Sequence, residues 1–237
     1  MGQLLTRQPA FLLKKNNYRE YLLTGVKNSF CYELTISERL VLIPNGCLEI
    51  IWNMDKKELY CLEYLDTYRA LDMEGDRLFG IHLNYHYQCS YDVNRVIAWL
   101  MEITEQHSFL ERAEFCDRQL NGILYIEEVH PLVRYGLNQM EEAKGKVAVE
   151  AIATEFGYTS RHMERLFLQT FSYGPKRFCQ YMRLLNVVAD MIKYPDKNLS
   201  ALIENIGYSD QSHFQREFKM FTGMTPRQFA AQYLKNG

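Results

Sequence analysis

Gly157 and Gly207 stand 50 residues apart in nearly matching surroundings, and this duplication constrains the fold more than any other feature of the chain. The first copy runs Ala153-Thr-Glu-Phe-Gly-Tyr-Thr-Ser-Arg-His-Met-Glu-Arg-Leu-Phe167. The second runs Ile203-Glu-Asn-Ile-Gly-Tyr-Ser-Asp-Gln-Ser-His-Phe-Gln-Arg-Glu-Phe218. Each reads as a short apolar helix, a Gly-aromatic turn, a Ser/Thr/Asp cap and a second helix with an apolar stripe and an arginine. Glycine permits the positive φ that a sharp turn between two helices requires, so Gly157 and Gly207 are expected as the structural turns of two helix-turn-helix units.

The pattern from Pro131 onward is helical. Pro131 opens a helix marked by Leu132, Val133, Leu137 and Met140, and Gly145 breaks it. Val147, Ile152 and Phe156 mark the short helix before the first turn. Thr159 or Ser160 caps the next, where Met163, Leu166, Phe167 and Phe171 recur at core-facing intervals. Arg161, His162, Glu164, Arg165 and Gln169 point away from that stripe. In the second copy Phe214, Phe218 and Phe221 form the stripe, and Gln211, Ser212, Gln215, Arg216 and Lys219 take the open face. Pro175 and Phe178 return at Pro226 and Phe229, now 51 residues on, so one extra residue falls between the turn and the second stripe. Thr225-Pro226-Arg227-Gln228 has capping-box form and predicts a final helix towards Leu234. Between the copies, Pro175 to about Tyr194 reads as one helix lined by Phe178, Met182, Leu185, Val188 and Ile192. At 1.5 Å per residue it would span roughly 27 Å, near the ~34 Å between successive major grooves on one DNA face.

Charge divides along the same boundary. Residues 1–130 hold 13 basic against 19 acidic side chains, and residues 131–237 hold 14 against 10. An overall balance of −2 therefore conceals a modestly basic second half, as expected if only that half meets phosphates. An ordinary mixed-charge surface would give a similar excess.

These motifs resemble the AraC/XylS family of bacterial transcription regulators. The resemblance is carried by Gly207-Tyr-Ser-Asp-Gln-Ser-His-Phe-Gln-Arg-Glu-Phe-Lys219, by Phe221-Thr-Gly-Met-Thr-Pro-Arg-Gln-Phe229, and by the first copy with its shorter turn. It covers about residues 131–234. It implies sequence-specific binding of double-stranded DNA, without catalysis, through Arg161, Glu164 and Arg165 in one unit and Gln211, Ser212, His213, Gln215 and Arg216 in the other. Glu164 is read either as an acceptor for cytosine N4 or as a solvated helix position. His162 and His213 are read as surface, capping or contact residues. The position of Ala153 is usually small in both units, and Ile203 departs from that. The resemblance also implies a homodimer, contact with RNA polymerase and a cytoplasmic location.

The first half reads as β. Phe30–Ile36, Arg39–Ile43, Cys47–Trp52, Glu58–Tyr64 and Arg77–Leu83 are short aromatic and branched runs separated by turn residues, which predicts a sandwich or barrel-like domain. Helical character follows from Val93 to about Thr104 and from Ser108 to Leu120. The chain is thus expected to be α+β in two domains: a β-rich sensing or dimerisation domain over 1–130 with trailing helices, and an all-α domain over 131–237 whose two helix-turn-helix units are joined by a long helix. Val93, Val96, Ile97, Leu100 and Met101 form an apolar stripe read as a two-fold contact or as the face docked on the sheet. Tyr60, Tyr64, Tyr68, Tyr85, Tyr87 and Tyr91 would line a small-molecule effector cavity or pack the sheet. Without an effector, this half would serve dimerisation or a protein partner.

Other chemistries find little support. Six cysteines show no metal-ligand spacing and read as reduced core thiols, and His82 with His86 is favoured as structural rather than as a metal pair. No phosphate loop, nucleophile elbow or zincin helix is present, so no cofactor and no catalytic residue are expected. No apolar run reaches the roughly 18 residues of a membrane span.

Overall fold

The computed structural model describes Gln8 and residues 17–37, 39–195, 197–198, 200, 203, 206, 208 and 210–234. Gly207 and most of the short helix expected before it lie outside the described residues.

The first half is built on a five-stranded antiparallel sheet. Its strands are β1 (Arg19–Leu22), β2 (Phe30–Thr35), β4 (Leu48–Asn53), β5 (Glu58–Glu63) and β7 (Arg77–Leu83), in the order β1-β2-β7-β4-β5. β3 (Leu40–Leu42) pairs with β6 (Arg69–Leu71), and β8 (Tyr87–Tyr91) with β9 (Leu124–Glu128). The five expected strands are all present. The additional ones, β1, β6, β8 and β9, are short or half-exposed segments with weak alternation, held mainly by their pairing partners.

Two helices pack on one face of this sheet, α1 (Val93–Glu105) capped by Asp92 and α2 (Phe109–Ile123) closed by a Ser108–Glu111 capping box. α1 turns Val96, Trp99, Leu100 and Ile103 into a core shared with Ile50, Trp52, Phe79 and Ile81. The expected stripe is therefore divided. Val96 and Leu100 are wholly buried, Ile97 is half-buried, and Val93 and Met101 remain exposed. A helix docked on its own sheet hides one ridge of a broad stripe and leaves the next in solvent.

The interior between β2, β4 and β7 is filled. A side chain on Gly80 would stand 2.0 Å from the Tyr32 ring, so the ring needs a glycine opposite it. Tyr32 donates to Glu49 Oε2 at 3.2 Å, and His82 Nδ1 donates to Glu49 Oε1 at 2.7 Å. Burial opposes the charged imidazole, but the Cys47 thiol and the Glu49 carboxylate outweigh it and raise the His82 pKa to about 10. His86 instead faces Asn84 and Asn138 at 2.7 and 2.9 Å, so the two histidines do not share a site. Among the described residues no cluster of three metal-ligating side chains occurs.

The second half contains α3 (Pro131–Glu142), α4 (Val149–Glu155), α5 (Ser160–Phe171), α6 (Pro175–Lys193), α7 (Gln211–Thr222) and α8 (Pro226–Tyr233). α6 has 19 residues, about 28 Å, but it is no bare rod. Eleven of its side chains are buried, including Phe178, Tyr181, Met182, Leu185 and Val188, because the helices of both units close around it. Phe156, expected within the short helix before the turn, is the C-cap of α4 and is exposed, while Leu166, expected to face the core, is only half-buried. Ile203 is buried in the common core.

The two halves share that core. Ile43, Cys47 and Tyr85 cluster with the helices, Tyr85 meets Phe178 edge-on at 5.1 Å, and Tyr64 meets Phe171 at 5.2 Å. Arg177 Nε donates to Asp66 Oδ1 at 2.7 Å, and the Tyr68 ring lies over Gly223 at the end of α7. Three of the six tyrosines proposed for a cavity or for sheet packing thus form the seam between the halves. Among the described residues no helix is long and apolar enough to cross a membrane.

Candidate nucleic-acid interface

The first unit consists of α4, the Gly157 turn and α5. Gly157 has φ +79° and open space around its missing Cβ, so the backbone angle, and not crowding, calls for glycine. Tyr158 N–H closes the turn onto Ala153 O at 2.8 Å. Thr159 caps α5 by accepting from His162 N–H, which settles the choice between Thr159 and Ser160. With Met163, Phe167 and Phe171 wholly buried, Arg161, Glu164, Arg165 and Leu168 stand on the exposed face. They line an open groove of about 580 Å³ together with Thr159 and His162.

Arg165 is held ready on that face. Its Nη1 donates to Gln169 Oε1 at 3.2 Å and its Nη2 lies 3.3 Å from His162 Nδ1, while the His162 ring stacks on Tyr158 at 4.6 Å. Glu164 has a second occupation. Its carboxylate lies over Gly174, the N-cap of α6, where a Cβ would meet Oε1 at 2.2 Å. Gly174 is the N-cap of the connecting helix, whose positive end favours a nearby acid.

The recognition helix of the second unit is capped in the same way. Asp210 caps α7 by accepting from His213 N–H at 2.7 Å, so the two caps lie 51 residues apart and the extra residue falls between glycine and cap. Aligned on their caps, both recognition helices have 12 residues, with His162 matching His213, Glu164 matching Gln215, and Arg165 matching Arg216. Gln211, Ser212, Gln215, Arg216 and Lys219 are exposed together on one side. His213 is turned from them, with Nε2 3.7 Å from the Glu217 carboxylate and its ring edge-on to Tyr208 at 5.6 Å.

Glu217 is the functional residue that reading by apolar stripe overlooks. It is buried, and it accepts from Gln180 Nε2 at 3.0 Å and from the Tyr208 hydroxyl at 2.9 Å. Arg183 Nη2 stands 3.6 Å away, while Nη1 of the same guanidinium donates to Gly145 O, between α3 and α4, and the group lies over the Tyr208 ring. Burial first, and the Glu217 charge second, push the Tyr208 hydroxyl pKa up, so it stays a donor. The acid therefore fixes the second recognition helix to α6. The cap-to-cap alignment carried a signal for it, because Glu217 occupies the position of Leu166.

Residues 152–232 match the family model described as a helix-turn-helix domain. The chain is 28% identical over 86 residues to the uncharacterized HTH-type transcriptional regulator YpdC of Escherichia coli (strain K12). That match covers 35% of this chain and spans only 29% of the relative's length. Among solved structures, an AraC-type DNA-binding domain-containing regulator from Chromobacterium violaceum is 24% identical, covering 45% of this chain and 96% of its own, with a TM-score of 0.41. ToxT K231A from Vibrio cholerae is 11% identical, covering 93% of this chain and 95% of its own, with a TM-score of 0.47.

Proposed function

We propose, from a chain whose residues 152–232 are an AraC-type helix-turn-helix domain, that this protein is a sequence-specific DNA-binding transcription regulator acting in the cytoplasm without catalysis. The observation that carries it is the pair of capped 12-residue helices, each with an exposed arginine at the same position, Arg165 and Arg216. An arginine on such a face reads guanine O6 and N7 or grips phosphate. Arg161 and Glu164 extend the first surface, and Gln211, Ser212 and Gln215 the second. His213 acts from the flank, through Glu217.

We divide the chain at residue 130, between β9 and the Pro131 start of α3. The first half then supplies the regulatory input, and its seam with α6 is the route by which a small molecule or a partner reaches the recognition helices. In the second reading a protein partner or dimerisation provides that input, and the close contacts of Tyr32, Glu49 and His82 hold the sheet that carries it. A homodimer would use Val93, Ile97 and Met101, with Val96 and Leu100 already committed to the core. Contact with RNA polymerase follows from the regulatory role.

Selection of duplexes from a random pool at stated salt, with the intact protein, tests the reading. Recovery of a consensus supports it, and Arg165→Ala with Arg216→Ala should abolish that enrichment. If no duplex is bound above background, or if the double variant selects the same consensus, the assignment fails.

A further inference from the structure

Leu168 is nearly half exposed, at 47%, on an otherwise charged face of α5. A single exposed leucine carries little meaning by itself, since apolar atoms make up much of any protein surface. Its placement is the informative part. Leu168 follows Arg161, Glu164 and Arg165 at intervals of seven, four and three residues, which sets all four on one side of the helix. All four line the same open groove. The buried side of α5 is already complete with Met163, Phe167 and Phe171, so Leu168 contributes nothing to that core.

We infer that Leu168 is a specificity-determining residue that reads the C5-methyl group of a thymine in the major groove. The inference rests on the DNA-binding reading above. Thymine is the one base whose major-groove edge carries an apolar group, and a leucine can neither donate to nor accept from the other edges. The second helix differs at this point. Its matching residue is Lys219, also exposed, which suits a phosphate or a guanine and has no use for a methyl group. The methyl contact therefore belongs to one half-site only, and the two units read unlike sequences despite their common geometry.

Replacing single thymines by deoxyuridine removes the methyl and leaves every hydrogen-bonding group in place. With the intact protein on its selected duplex, one such replacement, in the half-site bound by α5, should weaken binding about fourfold, the worth of roughly one buried carbon group. Leu168→Ala should bind the thymine duplex about fourfold more weakly and lose the distinction between thymine and uracil at that position. A thermal melt establishes that the variant is folded, as its exposure leads one to expect. Tight binding that is indifferent to uracil at every position overturns the inference and leaves the DNA-binding reading intact. So does a uracil effect that persists in Leu168→Ala. Failure to bind any duplex removes both.

Discussion

The Glu217 carboxylate of the second recognition helix lies 3.6 Å from the Arg183 guanidinium of the connecting helix, with both side chains largely withdrawn from solvent. Removing one partner of a buried pair strands the other, which costs more than the pair itself contributes. Because this pair is long and Arg183 keeps some exposure, Glu217→Ala should lower stability by about 2–3 kcal/mol in urea denaturation. Glu217→Gln, which keeps an acceptor for Gln180 and the Tyr208 hydroxyl, should lose less than Glu217→Ala. Equal stability of Glu217→Ala and the native chain would show that the network does not fix α7.

The connecting helix sets the distance between the recognition helices. Since eleven of its side chains are buried, lengthening it by a turn would disrupt the core and could not serve as a clean probe. The DNA is the better variable. Adding about five base pairs between the half-sites rotates one of them by half a turn, and affinity should fall to that of a single half-site. Unchanged gel-shift affinity at every spacing would mean that only one unit engages.

Stability should fall as pH rises through neutrality. His82 titrates at about 10 in the folded chain, against an ordinary value of 6.5. Below about pH 6.5 both states hold the proton and the Glu49 contact contributes in full; above it the unfolded chain releases the proton first, and the contribution is lost up to about pH 10. Above about pH 6.5 the slope should turn negative, towards at most about −1.4 kcal/mol per pH unit. Urea melts at half-unit steps would measure it, and His82→Gln should flatten it.

Phe178 packs on both halves of the molecule, on Tyr85 from one side and Phe167 from the other. Phe178→Ala should cost about 3–5 kcal/mol and separate the calorimetric unfolding of the two halves into distinct transitions. The nearby Asp66–Arg177 pair is more exposed on its acid side, so Asp66→Asn should cost under about 1 kcal/mol. The reverse ranking would mean that the ion pair, and not the aromatic seam, holds the halves together.

If the protein dimerises through α1, the contact must use the ridge of Val93, Ile97 and Met101. Val93→Glu places a charge where the side chain is 51% exposed, so the fold should survive while light scattering reports a monomer. A native chain that is already monomeric at micromolar concentration ends that proposal.

The linear order of residues determined the two caps, the Gly157 turn, the connector between Pro175 and Pro195 and the five principal strands. Each depends on neighbours a few positions away, so periodicity, caps and breakers are enough to reveal it. Arg165 and Arg216 were legible for the same reason, since the buried stripe of a helix defines its open face. Only the tertiary structure decided what depends on distant partners. Nothing in the apolar stripe of α1 says that Val96 and Leu100 meet Trp52 and Phe79 while Val93 and Met101 stay exposed. Nor does a cluster of tyrosines announce that Tyr64, Tyr68 and Tyr85 face the helices. Glu217 is the sharpest case. An acid in an open-looking sequence is ordinarily solvated, and it became a buried hub because Gln180, Arg183 and Tyr208 converge on it from other elements. Burial and pairing are properties of the assembled elements, and a single segment carries them only in part.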